Sequence, residues 1–124
     1  MAITVAPATD DDGSLYGKDA SDLQSGIEIN NGVISGTLKY ISDYSAAFSG
    51  DEASGHYIAL KFAADGAESI TVQVIGGLHG PSTLDEDGIV VARITSVSQQ
   101  LKVVATESGI STTTFYSLNG LILE

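Results

Sequence analysis

The sequence predicts an all-β fold, an antiparallel β-sandwich of immunoglobulin-like or jelly-roll type with an extended N-terminal arm. The first observation is an alternation with period two, in which His56, Ile58, Leu60 and Phe62 fall on one face of a strand. The second is that such segments recur between short stretches rich in Gly, Asp, Asn and Ser. This pattern is typical of half-buried antiparallel strands. With 124 residues, the chain suits a single domain with one core.

The arm is predicted over residues 1–25 and the sandwich domain over residues 26–124. Acidic residues dominate the arm, which contains Asp10, Asp11, Asp12, Asp19 and Asp22 against Lys18. After Val5 its large apolar side chains are Leu15, Tyr16 and Leu23. Because so few apolar groups cannot form a core, the arm is either mobile or held by those three side chains against its own domain or a partner.

The domain begins with a predicted hairpin. Ile27 and Ile29 alternate with Glu28, and the segment 30–32 (Asn-Asn-Gly) tolerates the positive φ angles of a tight turn. Residues 42–55 are rich in turn formers and carry two aromatic side chains, Tyr44 and Phe48. They form either one short helical turn or a surface loop.

Six further strands follow from the same alternation, over residues 56–63, 69–75, 88–95, 99–106, 111–117 and 120–123. Roughly eight short strands at this spacing suit a two-sheet sandwich. The chain has no Cys and no Trp, so the usual immunoglobulin disulfide and its tryptophan are missing. In the 88–95 strand, Ile89 and Val91 share a face with Arg93. If that face is outward, it is an exposed apolar patch of the kind that marks a contact.

Charge and hydropathy exclude two classes of partner. Five Lys and Arg against sixteen Asp and Glu give a formal net charge of -11, which repels a polyphosphate backbone. No run approaches the roughly 20 apolar residues that span a bilayer, and the N-terminus lacks a recognisable secretion signal. We expect neither nucleic acid nor a membrane as partner. The charge either keeps the protein soluble or is presented outward while a less charged face docks.

No motif predicts a metal site or a cofactor. The acidic stretches 10–13 and 85–88 each end in Gly but do not match the ligand spacing of a calcium-binding EF-hand loop. His56 and His79 are the two histidines, and they show neither HxH nor HExxH spacing. We interpret both acidic stretches as solvated or turn segments and expect no metal ligands.

Catalysis is not predicted either. The sequence contains no GxSxG elbow, and it offers no long irregular loop to wall a cleft for a paired-carboxylate glycosidase. We therefore expect a protein that is not an enzyme. A small carbohydrate-binding sandwich is an alternative, since Tyr44 and Tyr57 are candidates to stack on sugars, whereas Tyr40 and Tyr116 suit core or cross-strand positions.

Several short segments together carry a resemblance. They are Leu15-Tyr16-Gly17-Lys18, Gly36-Thr37-Leu38-Lys39-Tyr40, Phe48-Ser49-Gly50, Gly80-Pro81-Ser82-Thr83-Leu84-Asp85 and Ser117-Leu118-Asn119-Gly120-Leu121. Over nearly the whole chain the sequence resembles small tailed-phage virion proteins, the capsid decoration or head-associated (head fibre-type) proteins encoded near the major capsid protein.

This resemblance implies a β-rich module that binds the outer surface of a phage capsid and stabilises the head. The implied partner is the major capsid protein, the implied location is the outside of the virion, and a homo-oligomer is expected, with a trimer as the working assumption. No catalytic residue is implied. A tail- or fibre-associated module of the same phages is the structural alternative. Candidate partner contacts are Leu15, Tyr16, Tyr44, Phe48, Ile89 and Val91.

Overall fold

A computed structural model describes residues 2–13 and 15–124. Its elements are β1 (Ile3–Pro7), α1 (Ala20–Leu23), β2 (Gln24–Asn30), β3 (Val33–Leu38), β4 (Tyr40–Ile41), a 3₁₀ turn (Gly50–Ala53), β5 (Gly55–Ala64), β6 (Ser69–Ile75), β7 (Ser82–Thr83), β8 (Ile89–Ile94), β9 (Gln100–Glu107) and β10 (Ile110–Leu123). The strands form two sheets that pack against each other, which confirms the predicted all-β sandwich.

The small sheet is built around β5. Strands β1 and β4 lie one after the other along one edge of β5, and β8 lies along its other edge. The large sheet has the order β2-β3-β10-β9-β6-β7. Its pairs are antiparallel except for β3 and β10, which run parallel. The parallel pair departs from the purely antiparallel expectation, and the chain connects β3 to β10 through most of the other strands.

The main core lies between the two sheets. The alternation in β5 places Ile58, Leu60 and Phe62 in this core, with Ala92 and Ile94 of β8 beside them. The large sheet contributes Ile34, Leu38, Val72, Leu101, Val103, Tyr116, Leu118 and Leu121. Each fully buried aliphatic or aromatic side chain stabilises the fold by about 1.5 to 3 kcal/mol. This core therefore holds the sheets together without disulfides.

Local turn chemistry fixes the first hairpin. The predicted hairpin is present as β2 and β3, joined at Asn31 and Gly32 with φ angles of 50° and 76°. Two consecutive positive φ angles are the requirement of a type I′ turn, which matches the twist of the paired strands. In the 42–55 segment, where helical turn and loop were both open, the structure has hydrogen-bonded turns followed by the 3₁₀ turn.

The last strand differs from the prediction of two separate strands. β10 is continuous over 14 residues, and its register against β3 shifts between Ser117 and Gly120. A Cβ atom on Gly120 would lie 2.9 Å from the Cβ of Ser35, so glycine permits the close approach of β3. The Asn119-Gly120 pair therefore marks a bulge inside a strand, not a turn between two strands.

The N-terminal residues also differ from the expected extended arm. β1 pairs with β5 in the register Ile3 to Ala64 through Pro7 to Leu60, and β2 already begins at Gln24. Residues 8–13 and 15–23, which we call the cover segment, fold back over the outer face of the small sheet. They contribute four buried apolar side chains there, Ala8, Leu15, Ala20 and Leu23. The outer face of the small sheet is itself apolar, and this explains why the segment is held against its own domain.

One buried glutamine, Gln24, fills a gap along one edge of β5. The gap lies between the part of β5 that pairs with β1 and the part that pairs with β4. The side chain of Gln24 is 5% exposed. Its Nε2 donates to the carbonyl oxygen of Ala59 at 2.8 Å, and its Oε1 accepts from the Ala59 N–H at 2.9 Å. The primary amide thus pairs with Ala59 as a neighbouring strand would. The first residue of β2 is thereby tied to the middle of the opposite sheet.

Candidate docking surfaces

Five of the six predicted contact residues lie in a second hydrophobic cluster on the outer face of the small sheet. Leu15, Tyr44 and Ile89 are 2%, 1% and 9% exposed, and Phe48 and Val91 pack partly buried against the same cluster. The cover segment and the 42–54 loop bury Leu15, Tyr44 and Ile89 against β5 and β8, so the prediction that these three side chains present a contact surface is wrong. Phe48 and Val91 are half-buried, and their role as partner contacts stays a prediction. Tyr16 is 54% exposed and is the one of the six that presents its ring to solvent.

Hydrogen bonds and contacts between aromatic rings stabilise this second hydrophobic cluster. The Tyr44 hydroxyl donates to the carbonyl oxygen of Leu15 at 2.6 Å, and the Tyr57 hydroxyl donates to that of Glu52 at 2.6 Å. The Tyr44 and Tyr57 rings meet edge to face with centroids 4.9 Å apart. Burial, with smaller contributions from the neighbouring tyrosines, raises the pKa of Tyr44 to about 12. The two tyrosines hold loops onto the sheet, so neither is a platform on which a sugar could stack.

The other two tyrosines follow the sequence expectation. Tyr40 pairs across the strands with His56, and their rings meet edge to face with centroids 5.8 Å apart. Tyr116 is 5% exposed and lies in the main core near Phe62.

The two histidines lie apart in the fold. The Nε2 of His56 is 2.5 Å from the carbonyl oxygen of Glu124, and His79 contacts Glu52. Within residues 2–13 and 15–124, no group of three or more His, Asp or Glu side chains is placed to hold a metal ion. In the same part of the chain, no helix is long and apolar enough to cross a membrane.

The acidic stretches serve local structure. One carboxylate oxygen of Asp10 accepts from the Ser21 N–H at 2.8 Å and the other from the Ser21 hydroxyl at 3.0 Å, which fastens the two ends of the cover segment to each other. Asp12 accepts from the Thr9 N–H, and Asp85 accepts from the Asp87 N–H. These bonds are the local side-chain to backbone interactions that favour turns.

The outer face of the large sheet is a six-stranded surface that no described segment covers. Alternate side chains of a strand point to opposite faces of the sheet, so the residues between the core residues form the outer face. Its members include Glu28, Val33, Ser35, Thr37, Thr71, Gln73, Lys102, Val104, Thr113, Phe115 and Ile122. Phe115 is 52% exposed and Ile122 is 63% exposed, whereas Val33 and Val104 are half-buried.

Cross-strand rows organise this face. Val104 lies between Thr71 on one neighbouring strand and Thr113 on the other. Lys102 lies in the next row, beside Phe115 and Gln73. β-Branched and hydroxyl side chains have few rotamers to lose, so a surface made of them binds at a small entropic cost. The sequence signal was the run of Ser and Thr at positions 111–114, which the predicted strand contained but to which no contact was assigned.

Charge is distributed unevenly between the two sides of the sandwich. Among the residues that the structure places in the large sheet, three are charged, namely Glu28, Lys102 and Glu107. The other fourteen of the sixteen acidic residues lie outside its strands. Five of them are in the cover segment on the opposite side of the molecule, Asp10, Asp11, Asp12, Asp19 and Asp22. The protein therefore has an acidic side and a nearly uncharged side.

Comparisons of this chain with protein-family models, with curated proteins and with solved structures found no match.

Proposed function

We propose that this protein is a non-enzymatic structural module of a phage virion, which decorates the outer surface of the capsid by docking the outer face of its large sheet onto the major capsid protein. The observation that carries the proposal is the charge distribution. A chain with a net charge of -11 has one broad face with almost no charge, and the cover segment on the opposite side is acidic.

The physical argument is one of desolvation. Removing carboxylates from water at an interface is costly unless each is paired, so charged residues are depleted from interface cores. Most of this face is Thr, Val, Ser and Phe and has no charge to desolvate. Its hydroxyl groups need hydrogen-bond partners on the capsid protein, and Glu28 and Lys102 need partners of opposite charge. The acidic side would then point away from the shell, where like charges on neighbouring particles repel each other and limit aggregation.

The size of the face explains why many copies would be needed. Six strands about 4.8 Å apart and roughly 18 Å long give an area of about 500 Å². This is less than the ~800 Å² that each partner buries in a standard stable interface. We propose that the protein binds as a homo-oligomer at symmetry positions of the shell, because linked copies gain avidity without new contacts.

Co-sedimentation with capsids that lack this protein tests the proposal. Wild-type protein is expected to bind at a fixed, saturable ratio to the major capsid protein. Thr113→Asp adds a charge at an exposed position in the middle of the large sheet and should weaken binding at least about tenfold, since an unpaired buried charge costs more than 1.4 kcal/mol. Tyr16→Asp adds the same charge on the cover segment and should bind like wild type.

Three results would contradict the proposal. Equal binding by Thr113→Asp and wild type would remove the large sheet from the interface. Loss of binding only in Tyr16→Asp would assign the interface to the cover segment. Binding to purified tails or fibres in place of capsids would move the protein to the tail of the virion.

A further inference from the structure

The free edge of the small sheet has backbone groups without strand partners. Among the described residues, β8 pairs with β5 and with no other strand. The Phe62 N–H donates to the Gly88 carbonyl oxygen at 2.8 Å, so Gly88 and every second residue after it bond towards β5. The N–H and C=O groups of Ile89, Val91 and Arg93 therefore point away from β5.

The opposite edge of β5 supports this assignment. Both backbone groups of Ala59, the residue paired with Val91, bond to Gln24 and Ala8 on the side away from β8. The Ala59–Val91 pair is therefore a non-hydrogen-bonded pair of the β5–β8 ladder, and the Val91 groups point outward.

A cavity of about 380 Å³ runs along this edge. Four consecutive residues of β8, Val90 to Arg93, line it. Consecutive residues point to alternate faces, so a cavity that touches all four lies along the edge of the strand. Val72 and Val74 of β6 form the opposite wall, and Phe48 contributes from the 42–54 loop. The cavity thus offers an apolar interior next to unpaired backbone groups.

A glycine-rich loop closes the mouth of the cavity. The loop Gly76–Gly80 contains three glycines, and Leu78 in its middle is 85% exposed, so the loop contributes little packing. The Nε2 of His79 reaches the Glu52 carboxylate at 2.8 Å across the mouth. The side chains of this pair are 71% and 26% exposed, and solvent-exposed pairs contribute at most about 1 kcal/mol. A ligand can therefore displace the loop at a small cost.

We propose that this groove binds an extended polypeptide segment of a partner protein as an additional strand of the small sheet. Alternate aliphatic side chains of the segment enter the cavity, and Lys or Arg residues flank them. Its backbone pairs with the outward groups of Ile89, Val91 and Arg93, which is the mode of recognition known as β-augmentation. The inference does not depend on the docking of the large sheet.

The charges around the groove determine the flanking residues of the segment. Asp85, Glu86 and Asp87 lie just before Gly88, the residue that precedes the start of β8 at Ile89. At the other end, Arg93 donates to the Ser54 carbonyl oxygen, one residue after the 3₁₀ turn with Asp51 and Glu52. Acidic groups therefore lie at both ends of a strand of six residues. A lysine of the segment would take the place of His79 at Glu52.

The same charges argue against a second copy of this chain as the occupant. Pairing of two β8 strands would bring the acidic groups of both copies together, and like charges at such distances are destabilising. Arg93 keeps its positive charge, since its Nε–H donates to a neutral carbonyl oxygen. The five acidic residues Asp51, Glu52, Asp85, Glu86 and Asp87 outnumber this one cation, so the groove edge of each copy has a net negative charge.

The first test uses synthetic peptides labelled with fluorescein, and binding is followed by fluorescence anisotropy. The probe is an acetylated, amidated peptide with the sequence Lys-Val-Thr-Val-Thr-Val-Lys. It should bind saturably and at least tenfold tighter than the same peptide with Glu at both ends. Proline in place of the central Val should abolish binding, because it removes a backbone donor. Equal binding of the Pro-containing peptide would show attraction by charge alone and would overturn the proposal.

Variants of the protein locate the site. His79→Gln frees Glu52 and opens the loop, so it should tighten binding of the basic peptide by up to about fivefold. Glu52→Gln opens the loop equally but removes the acidic group, so it should not tighten binding. Opposite effects, or no difference between the two variants, would contradict the role of the pair as a displaceable closure.

Two further variants block the groove in different ways. Ala92→Leu fills the cavity, and Val91→Pro removes an outward N–H without breaking a bond to β5. Each should weaken peptide binding at least tenfold while circular dichroism shows a folded β protein. Wild-type affinity in whichever variant is folded would overturn the proposal. Sedimentation showing that the protein dimerises and that the peptide dissociates the dimer would assign the groove to a second copy instead.

Discussion

Replacing Gln24 with leucine tests whether its side-chain amide acts as the missing strand beside Ala59. The substitution puts a shorter, branched apolar side chain in place of the amide and removes both of its hydrogen bonds, at 2.8 and 2.9 Å. The carbonyl oxygen of Ala59 still accepts from the Ala8 N–H at 3.1 Å. The Ala59 N–H has no such second partner, so it becomes a buried, unsatisfied donor.

The expected loss of stability follows from these contacts. An unsatisfied buried donor costs about 1 to 3 kcal/mol, and each net hydrogen bond contributes about 0.5 to 1.5 kcal/mol. The leucine recovers part of this through apolar burial. We expect Gln24→Leu to lower the free energy of unfolding by about 2 to 3 kcal/mol. Urea titration followed by circular dichroism measures this quantity, since a domain of this size usually unfolds in two states.

Two companion variants make the test specific. Gln100→Leu changes an exposed glutamine of β9 and should alter the free energy of unfolding by less than about 0.5 kcal/mol. Gln24→Glu keeps an acceptor for the Ala59 N–H but places a carboxylate against the Ala59 carbonyl oxygen. Because burial favours its protonated form, this variant should be most stable at acidic pH and lose stability as pH rises. Equal stability of Gln24→Leu and wild type would refute the role assigned to Gln24.

Three further predictions concern Leu15 of the cover segment, Gly88 just before β8, and Tyr44 of the 42–54 loop. Leu15→Ala should lower the free energy of unfolding by about 2 to 5 kcal/mol, because Leu15 is 2% exposed. Tyr16→Ala, at an exposed position, should change the free energy of unfolding little. Urea titration of both variants distinguishes a core from a surface role. Gly88→Ala should lower it by more than about 3 kcal/mol, since a Cβ at its φ of 72° would overlap a backbone oxygen of β5. Gly109→Ala, with a similar φ of 78° but open space around it, is the control and should melt closer to wild type. The raised pKa of Tyr44, about 12, means that the stability it contributes is fully present below pH ~10 and is lost as pH rises through about 12. Tyr44→Phe should flatten this alkaline loss, and an unchanged pH profile would contradict the assignment.

Local patterns in the sequence predicted the strands well. Alternation in β5 and positive-φ residues at Asn31-Gly32 depend on neighbours in the chain, and both predictions were confirmed. The same alternation correctly placed Ile89 and Val91 on one face of β8. The alternation did not predict which segment covers that face.

Tertiary packing decided the features that sequence could not predict. Leu15 was recognised as an apolar exception in an acidic segment, but its burial depends on contacts with β5 and Tyr44, far along the chain. The sequence did not predict the role of Gln24. Its amide pairs with Ala59 only because the fold leaves a gap between β1 and β4 along the edge of β5. The uncharged face of the large sheet likewise appears only when strands that are distant in sequence lie side by side.

Amine labelling of assembled particles tests the docking of the large sheet most directly. Lys102 lies on its outer face, and Lys61 lies on the opposite side of the molecule with a side chain that is 52% exposed. Both lysines should react with an acetylating reagent in the free protein. On particles decorated with the wild-type protein, we predict that Lys102 becomes protected while Lys61 still reacts. Protection of Lys61 together with continued labelling of Lys102 would contradict the proposed orientation.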